Sequence, residues 1–455
     1  MSKVAVIGGG VSGLVAMHLL AGEHEVVLFE AAPRLGGHTY TVDVDEDGLE
    51  LAIDLGFIVY NETTYPLFTR LLAELGVATQ PTTMSFSVRD ERDGFEYNGT
   101  SLDGLFAQRG NLLRPRMWRM LAGILRFNRR ASRLLAGDAD PTLSEYLAAD
   151  GYGGPMVRDY LLPMVSALWS AEPEEVGEMP ARSLITFLHH HGMLTVDDRP
   201  QWRVLVGGSR TYVERLAVRH AGRIVTGTAV EWIRRRNDGV WLTPRGGVET
   251  RFERVVIATH SDQALRLLAD PSETERAVLG AIPYQRNEVV LHTDARFLPR
   301  SPRARASWNV HLNPPRRAVG PQLTYWMNAL QGLGVLGARR DYCVTLNRTA
   351  EIDPAAVLHR AEMAHPVFHH RTIAAQRRWD AINGRRGTYF CGSYWGHGFH
   401  EDGVRSAHRV AAALAREVAA GMSASAGGGE RHHPSWRLPG TAAAVARDSR
   451  TEDVV

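Results

Sequence analysis

Residues 3–13 read KVAVIGGGVSG, a short apolar run that leads directly into closely spaced glycines. In the spacing Gly8-x-Gly10-x-x-Gly13, the first glycine permits a tight turn and the second lets the backbone approach a pyrophosphate. Gly13 lets the following helix pack closely on the strand. The start of this helix, which includes Ser12, offers unpaired N–H groups and a partial positive charge to phosphates. The stretch therefore predicts a dinucleotide-binding site.

An acidic residue follows the next strand, predicted over residues 25–29. Glu30 comes 17 residues after Gly13. This spacing places its carboxylate to accept hydrogen bonds from an adenosine ribose, and its charge disfavours a 2′-phosphate. The order of strand, glycines, helix, strand and acid is much more specific than the glycines alone. The fingerprint by itself leaves NAD and FAD both open.

The composition is that of an ordinary globular protein with two domains or one interleaved pair. Of the 455 residues, 44% are hydrophobic and 22% charged, and the net charge of +2 gives no indication of nucleic-acid binding. The two cysteines lie far apart, which is typical of a reduced, cytoplasmic protein. The first strand leaves no room for a signal peptide, and no apolar run reaches the roughly 18 residues of a membrane span.

Hydrophobic periodicity predicts helices at 64–76 and 403–418 and a mostly helical stretch from about 101 to 200. Strands are predicted at residues 223–225, 229–234, 240–243, 249–252, 254–258, 287–292, 322–327, 342–346 and 388–391. Residues 421–455 are rich in Gly, Ala and Ser and lack apolar periodicity, which predicts a disordered tail.

Several separated segments resemble the superfamily of flavin-containing amine oxidases, protoporphyrinogen oxidases and carotene desaturases. The matching motifs are the glycine fingerprint with Glu30, Arg34-x-Gly36-Gly37, Asp54-Leu55-Gly56-Phe57, Val206-Gly207-Gly208-Ser209, the strand at 255–259, Gly392-Ser393 and the segment 398–403. The resemblance covers residues 3 to about 418. Through segments such as 324–328 and 396–403 the chain is more narrowly similar to bacterial proteins described only as NAD/FAD-binding and amine-oxidase-like.

This resemblance implies an α/β fold in which a Rossmann-type (GR2-like) FAD-binding domain is interleaved with an α+β substrate domain. The FAD-binding domain would comprise residues 1–80, 205–282 and 376–420, and the substrate domain residues 81–204 and 283–375. The cofactor implied is FAD, bound by Gly8, Gly10, Ser12, Gly13, Glu30, Arg34, Gly36, Gly37, His38, Gly56, Phe57, Val230, Gly392, Ser393, Gly403 and Val404.

Three departures from the family pattern bear on the chemistry. His38 stands where the family has a second arginine, although a neutral imidazole still donates a hydrogen bond. No cysteine lies where covalent amine oxidases attach their flavin, so we expect noncovalent FAD. Lys3 is the only lysine of the chain, whereas many amine oxidases place a lysine beside the flavin to assist reoxidation by oxygen. Arginine substitutes poorly because it stays charged, so hydride transfer with another acceptor is favoured.

The late segment supplies the candidates for proton transfer. His400 and Glu401 are the predicted catalytic pair, because a base assists when a proton leaves with the hydride. A carboxylate at this position equally caps the final helix, which is the role expected for Asp402. The predicted substrate residues are His191, Tyr394 and Trp395. No metal site is predicted, since the adjacent histidines 189–191 point about 100° apart on a helix.

Residues 109–133 contain eight arginines, many apolar side chains and no acid. Such a segment suits a basic helix that lies on an anionic membrane. It equally suits a solvated helix whose apolar stripe packs on the substrate domain. Both interpretations stay open at the level of sequence.

The sequence thus predicts a cytoplasmic, FAD-dependent oxidoreductase that abstracts hydride from a C–H bond of an apolar, fatty-acyl-like substrate, as desaturases and dehydrogenases do. Three alternatives stay open: a double-bond isomerase without net oxidation, an amine oxidase, and a non-catalytic flavin-binding partner of a lipid-modifying methyltransferase. The last follows from the association of the bacterial subgroup with such methyltransferases. Contact with a membrane through residues 109–133 is a further candidate.

Overall fold

The glycine fingerprint forms a strand, a turn and a helix in the computed structural model of the protein, which describes residues 1–195, 200–314 and 320–425. Residues Met1–Leu414 form one compact unit. A second unit, Ala415–Val455, is described only as far as Ser425, where its helix ends.

The strands, in chain order, are β1 (Lys3–Ile7), β2 (Glu25–Phe29), β3 (Thr41–Glu46), β4 (Leu49–Asp54), β5 (Tyr60–Asn61), β6 (Thr79–Thr82), β7 (Phe86–Asp90), β8 (Glu96–Asn98), β9 (Trp202–Leu205), β10 (Ile224–Val225), β11 (Val230–Arg236), β12 (Gly239–Pro244), β13 (Thr250–Phe252), β14 (Arg254–Ile257), β15 (Tyr284–His292), β16 (Trp308–Leu312), β17 (Leu323–Trp326), β18 (Cys343–Leu346), β19 (Val357–Pro366) and β20 (Thr388–Phe390).

The helices are α1 (Val11–Leu20), α2 (Pro66–Leu75), α3 (Leu102–Leu105), α4 (Pro115–Arg130), α5 (Leu143–Ala149), α6 (Gly154–Met156), α7 (Leu162–Trp169), α8 (Pro173–Gly177), α9 (Ala181–His190), α10 (Arg210–Arg219), α11 (Ser261–Leu267), α12 (Glu273–Leu279), α13 (Met327–Leu330), α14 (His370–Gln376), α15 (Trp379–Ile382) and α16 (His400–Ser425). Short 3-10 and π turns connect several of them.

A five-stranded parallel sheet in the order β10-β2-β1-β14-β20 carries the glycine turn. Val4, Ala5 and Val6 of the central strand are fully buried. Strands covered on both faces need apolar side chains at successive positions, which explains the unbroken apolar run. The carboxyl ends of β1 and β14 coincide, with Ile7 paired to Ile257. In such sheets the ligand binds at this edge.

A seven-stranded sheet has the order β19-β15-β18-β17-β16-β7-β8. Its pairings are antiparallel except for the parallel pair of β16 and β7. Three smaller sheets are also present: β3-β4 and β5-β9-β6, and β11-β12-β13, which is inserted between two strands of the parallel sheet, β10 and β14. Helices α4 to α9 form a separate helical region around a core that includes Phe127, Leu143, Val165 and Leu184.

The α/β fold class and most predicted elements are confirmed, including α2 and the helical region between residues 101 and 200. The sequence did not predict β3 to β9, which are short or partly polar strands. Residues 421–425 of the tail that was predicted to be disordered continue α16, and residues 426–455 lie outside the described residues, so this prediction stays open. The division into two domains stays a prediction.

Candidate active site

A cavity of about 1530 Å³ extends from the glycine turn after β1 to helix α4. One end, the glycine end, is lined largely by the backbone of residues 8–12 and 34–38. The other, the apolar end, is lined by side chains of α4, α7 and α9, for example Leu121, Leu168 and Phe187. The two ends therefore offer different chemistry within one continuous space.

Each glycine of the fingerprint meets a different steric demand. Gly8 adopts φ +104°, a conformation that costs a side-chain-bearing residue free energy. A Cβ on Gly13 would lie 1.9 Å from the carbonyl oxygen of Gly8, so the close packing of α1 on the strand requires glycine there. A Cβ on Gly10 would meet no atom within 4 Å, so this position faces open space in the cavity.

The second glycine pair packs against the first. The N–H of Gly36 donates to the carbonyl of Gly9 at 2.8 Å, and a Cβ on Gly37 would lie 3.3 Å from the Cα of Gly10. The carboxylate of Glu30 accepts the Gly9 N–H at 2.6 Å and thereby orders the same turn. The two motifs predicted from sequence thus form one backbone surface.

This surface fits the diphosphate of a dinucleotide. Helix α1 begins at Val11, and its N-cap residue, Gly10, has no side chain to cap it. The first turn also has no acidic residue, which leaves the N-terminal N–H groups for an anion. Arg34 lines the same space, with its guanidinium 3.7 Å from the Tyr40 ring and hydrogen-bonded to the carbonyls of Gly37 and Thr39.

Most of the predicted cofactor residues line the cavity: Gly8, Gly10, Ser12, Glu30, Arg34, Gly36, Gly37, His38, Gly56, Phe57, Val230, Gly392 and Ser393. Three of the predicted residues do not. Gly13 acts through packing, as described. Gly403 packs on Ser12, whose Oγ would lie 2.8 Å from an added Cβ. Val404 is fully buried. The side chain of Val404 and the Cα of Gly403 are thus used in packing, and the backbone contact with the flavin that was predicted for these two residues stays a prediction.

His38 lies in a group of half-buried imidazoles that line the cavity, and its ring is already hydrogen-bonded. Its Nε2 is 3.0 Å from the carbonyl oxygen of Ala364, and its ring centroid lies 5.5 Å from that of His260 and 5.2 Å from that of His365. Burial, followed by the neighbouring imidazoles, holds the pKa of His38 well below its usual value. A neutral ring at this position can donate one hydrogen bond, and the Ala364 carbonyl takes it.

His400 is at the cavity wall, as predicted, but it is a weak base. Its ring stacks on Phe57 with centroids 3.4 Å apart, and its Nε2 lies 3.0 Å from the Thr39 hydroxyl and 3.2 Å from that of Tyr212. Burial lowers the pKa of His400 to about 3. The imidazole is therefore neutral near pH 7, and it suits positioning by hydrogen bonds better than proton abstraction.

Glu401, the other predicted catalytic residue, does not line the cavity, and its catalytic role stays a prediction. Its carboxylate accepts the backbone N–H groups of Leu67 at 3.1 Å and Phe68 at 3.0 Å. It therefore caps the N-terminus of α2, where a negative charge is favourable. Asp402 accepts the N–H groups of His397 and Phe399 and so has the capping role that was expected for it.

Two of the three predicted substrate residues reach the cavity. His191 lines it, with its ring stacked on Phe187 at 3.8 Å between centroids, and burial lowers its pKa to about 4. Tyr394 also lines it, and its hydroxyl has no hydrogen-bond partner among the described residues. Trp395 does not, because its indole donates to the carbonyl of Phe390 and packs on the core of the parallel sheet.

Asp54 is a functional residue whose role the sequence did not reveal. Its carboxylate is fully buried and accepts the N–H and the hydroxyl of Ser209, the hydroxyl of Thr41 and the amide of Gln331. Burial raises its pKa to about 6. Asp54 thus ties the Gly207–Gly208 turn to the strand that leads into Gly56. Thr41 is 13 residues from Asp54, but Ser209 and Gln331 are 155 and 277 residues away, which is why the motif DLGF alone did not indicate them.

Neither the lysine nor the cysteines line the cavity. The ammonium of Lys3 lies 5.1 Å above the Phe252 ring, at the end of β1 opposite to the glycine turn. Cys343 and Cys391 are both buried in the core. Noncovalent binding of the cofactor stays a prediction with which this geometry agrees.

The family's sequence profile, described as flavin containing amine oxidoreductase, matches residues 11–331, well over half of the chain. The chain belongs to this family. Membership of this family gives FAD as the cofactor of the chain. The residues at the glycine end of the cavity would hold the ADP half of this FAD, and Gly56, Phe57 and Ser393, which also line the cavity, would contact its flavin half.

Among curated proteins, the one named "Putative flavin-containing monoamine oxidase AofH" from Mycobacterium tuberculosis is 26% identical over 285 residues, which are 59% of this chain and 59% of that protein. Amine oxidase [flavin-containing] A from Canis lupus familiaris is 46% identical over 81 residues, 17% of this chain and 14% of that protein. The chain thus matches less than two thirds of the length of these relatives.

Solved structures share the fold across the chain. Cyclohexylamine oxidase from Brevibacterium oxydans has a TM-score of 0.65 at 17% identity, over 92% of this chain and 99% of its own. Putrescine oxidase bound to putrescine has 0.64 at 16%, over 91% and 99%. A CLA-producing fatty acid isomerase from P. acnes has 0.63 at 15%, over 91% and 98%. At these identities the similarity shows the fold alone. In the described part of the chain, no helix has the length and apolarity needed to span a membrane.

Proposed function

We propose that the enzyme removes a hydride from a C–H bond of an apolar, fatty-acyl-like chain, in a dehydrogenase or desaturase reaction. Bound FAD supplies the hydride acceptor for this chemistry. The protein would contribute the dry cavity, the orientation of the chain and the hydrogen bonds that hold the site.

The absence of charge at the apolar end carries the proposal. Between Leu55 and Met193, none of the described residues that line the cavity is Asp, Glu, Lys or Arg. The carboxylates that do line it are Glu30 in the glycine turn, Glu231 after the start of β11 and Glu362 on β19. A protonated amine buried at the apolar end would therefore lack a carboxylate partner, which is costly. An alkyl chain has no such cost.

Two imidazoles of low basicity line the cavity, His191 after α9 and His400 against Phe57. His191 and His400 both have pKa values lowered by burial, to about 4 and about 3. The Tyr394 hydroxyl is unpaired. The indole N–H of Trp308, which also lines the cavity, is likewise without a partner among the described residues. Either group would be available to donate a hydrogen bond to a carboxyl or ester oxygen of the substrate. A few polar contacts within a mostly apolar pocket are the usual pattern for fixing the orientation of a ligand.

Two further observations support a lipid substrate over an amine. The only lysine of the chain is far from the cavity, so the proton handling that a lysine gives many amine oxidases has no counterpart here. One of the structural neighbours is named as a fatty acid isomerase. This neighbour indicates that the fold accommodates fatty acids, and it keeps isomerisation as the second candidate function.

The test is anaerobic addition of substrates to the purified holoenzyme, followed through the visible absorbance of the flavin. Oleic acid represents the acyl substrates; putrescine and cyclohexylamine represent the amines. We expect oleic acid to bleach the flavin and to yield a product two hydrogens lighter by mass spectrometry, whereas the amines leave the flavin oxidised.

The outcomes separate the alternatives. Bleaching by an amine but not by the fatty acid would contradict the proposal and assign amine oxidation. Product of unchanged mass with a moved double bond, without lasting bleaching, would assign isomerisation. No reaction with either class, together with co-purification of a methyltransferase, would favour the non-catalytic partner.

A further inference from the structure

Helix α4 presents two apolar faces instead of one. Met117, Met120 and Phe127 are buried in the core beneath it. At 100° per residue, Trp118 and Leu125 lie on a different face. These two side chains line the cavity, yet they are 51% and 47% exposed. The basic helix therefore packs on the protein, as one sequence interpretation expected, and still leaves an apolar face uncovered.

The uncovered face continues into a larger apolar patch at the opening of the cavity. Leu102 also lines the cavity while being 76% exposed, which places it at the same opening. Leu112 and Leu113 precede α4 and are 46% and 88% exposed. The Trp118 indole donates to the carbonyl of Leu112 at 2.9 Å, so these side chains are held together. A cluster of exposed apolar side chains is typical of a surface that contacts a partner or a membrane.

Arginines with no acidic partner border this patch. Arg119, Arg129, Arg130 and Arg133 are exposed, and within the described residues none has a carboxylate within ion-pair distance. Arg126 donates only to backbone carbonyls, those of Asp150 and Gly151. By contrast, most arginines elsewhere in the protein, such as Arg235 with Glu275, have a carboxylate partner. The charge around the patch is therefore available to an external anion.

We infer that this surface, formed by Leu102, Leu112, Leu113, Trp118 and Leu125 with the arginines at 119–133, docks the protein on an anionic lipid bilayer. Interfacial proteins insert exposed Leu and Trp side chains at the level of the headgroups while arginines contact the lipid phosphates. A protein partner would equally cover apolar side chains, but the one-sided positive charge without acidic counterparts favours a uniformly anionic surface.

Docking would place the opening of the cavity against the bilayer. An apolar substrate could then enter between Trp118 and Leu125 without crossing water. Entry of the substrate from the bilayer rests on the proposed lipid substrate, whereas binding of the protein to the bilayer does not. The two are therefore tested separately.

The experiment is co-sedimentation of the full-length holoenzyme with vesicles, at low salt (about 0.01 M) and high salt (about 1 M), where exposed charges are weakly and strongly screened. One set contains phosphatidylglycerol and phosphatidylcholine in equal parts, and the other phosphatidylcholine alone. The charge variant is Arg129→Gln/Arg130→Gln/Arg133→Gln, and the apolar variant is Leu112→Gln/Leu113→Gln. The matched controls are Arg215→Gln/Arg377→Gln/Arg378→Gln and Val248→Gln/Val335→Gln, all exposed elsewhere.

We expect the wild type and both controls to bind the anionic vesicles at low salt and to be released at high salt. Each arginine near an anionic surface strengthens binding about fivefold, so the charge variant, which lacks three arginines, should bind roughly a hundredfold more weakly. The apolar variant should bind about tenfold more weakly. Thermal melts of all variants confirm folding.

The inference is overturned if the wild type fails to bind anionic vesicles at low salt, or if the variants bind no more weakly than their controls. It is also overturned if light scattering shows a dimer that the apolar variant dissociates, because a second copy would then cover the patch. Vesicle binding without any reaction of fatty acids would contradict the proposed function while leaving the docking surface intact.

Discussion

The two ends of the cavity are built in different ways. The glycine end is backbone: Gly8, Gly10 and Gly36 shape it, and side chains matter there mainly by being absent. The apolar end is made of side chains such as Leu121 and Leu168, brought together from separate helices. A backbone surface requires particular residues at fixed spacing, whereas an apolar wall accepts many combinations of similar volume. The sequence of the glycine end is therefore enough to identify the cofactor, whereas the side chains of the apolar end would determine which substrate binds.

The largest effect is expected at the glycine end. Gly13→Ala places a Cβ 1.9 Å from the Gly8 carbonyl, so the helix must move. We expect a loss of roughly 3 kcal/mol of stability and no bound FAD. Gly10→Ala meets no atom of the protein. It should melt like the wild type without cofactor, yet bind FAD at least tenfold more weakly because the methyl occupies the space for the diphosphate.

Flavin content after desalting and thermal melts of the cofactor-free proteins measure both effects. Gly22→Ala, where an added Cβ also meets no atom, is the control for helix-end glycines. Full flavin content in Gly10→Ala would show that the diphosphate does not bind where the glycine end places it.

A charge introduced at the apolar end should change substrate preference. Leu168→Asp puts a carboxylate in a wall that has no charge. We expect fatty-acid binding at least tenfold weaker and detectable binding of cyclohexylamine, because the ammonium gains a partner. Leu168→Met keeps the volume and should behave as the wild type. Flavin difference spectra measure both ligands; unchanged fatty-acid affinity in Leu168→Asp would place the substrate elsewhere.

Asp54 connects the glycine turns and should give a pH-dependent stability. Its pKa is raised by burial to about 6, above the ordinary 3.8. The folded state therefore binds this proton more tightly than the unfolded chain does. The resulting stabilisation of the fold is complete below pH 3.8 and is lost as the pH rises through 6. It amounts to about 3 kcal/mol at most. The Asp54→Asn variant has no ionisable carboxyl at this position, so its stability should not show this loss as the pH rises.

Denaturant unfolding of wild type and Asp54→Asn between pH 4 and 7 tests the sign, with the exposed Glu50→Gln on the same strand as control. The stability difference between wild type and Asp54→Asn should shrink or reverse as pH rises. A difference that grows with pH would mean that the carboxylate is ionised and stabilised in the fold.

A smaller effect is expected for Glu401, which belongs to neither end of the cavity. Glu401→Ala removes the acceptor of two N–H groups of α2, which should cost about 1–2 kcal/mol. Glu401→Gln keeps one acceptor oxygen and should recover part of this loss. The rate of flavin bleaching should stay within about twofold of wild type in both. Normal stability with a lost reaction would restore Glu401 as a catalytic residue.

We expect no covalent bond between the protein and its FAD. Acid precipitation of the holoenzyme should release all flavin into the supernatant, because neither cysteine lines the cavity. The absorbance of supernatant and pellet measures this. Flavin retained in the pellet would require a covalent link through another side chain.

The sequence was sufficient to predict features that depend on neighbouring residues, but not contacts between residues that are far apart in the chain. The glycine turns and Glu30 were predicted because their physical requirements fall within a few dozen residues. The cap that Glu401 gives to α2 joins positions 334 residues apart, and the bond between Ser209 and Asp54 spans 155. Only the fold brings such groups together. Trp395 was predicted to line the pocket together with Tyr394. Adjacent residues point in different directions, however, and only Tyr394 lines the cavity.

The central claim is that one cavity holds FAD at its glycine end and an apolar chain at the other. A crystal structure of the holoenzyme with oleic acid tests it most directly. We predict the diphosphate against Gly10 and Gly36 and the acyl chain against Leu121, Leu125 and Leu168. An acyl chain bound elsewhere, or FAD with its diphosphate away from the glycine turns, would contradict the account.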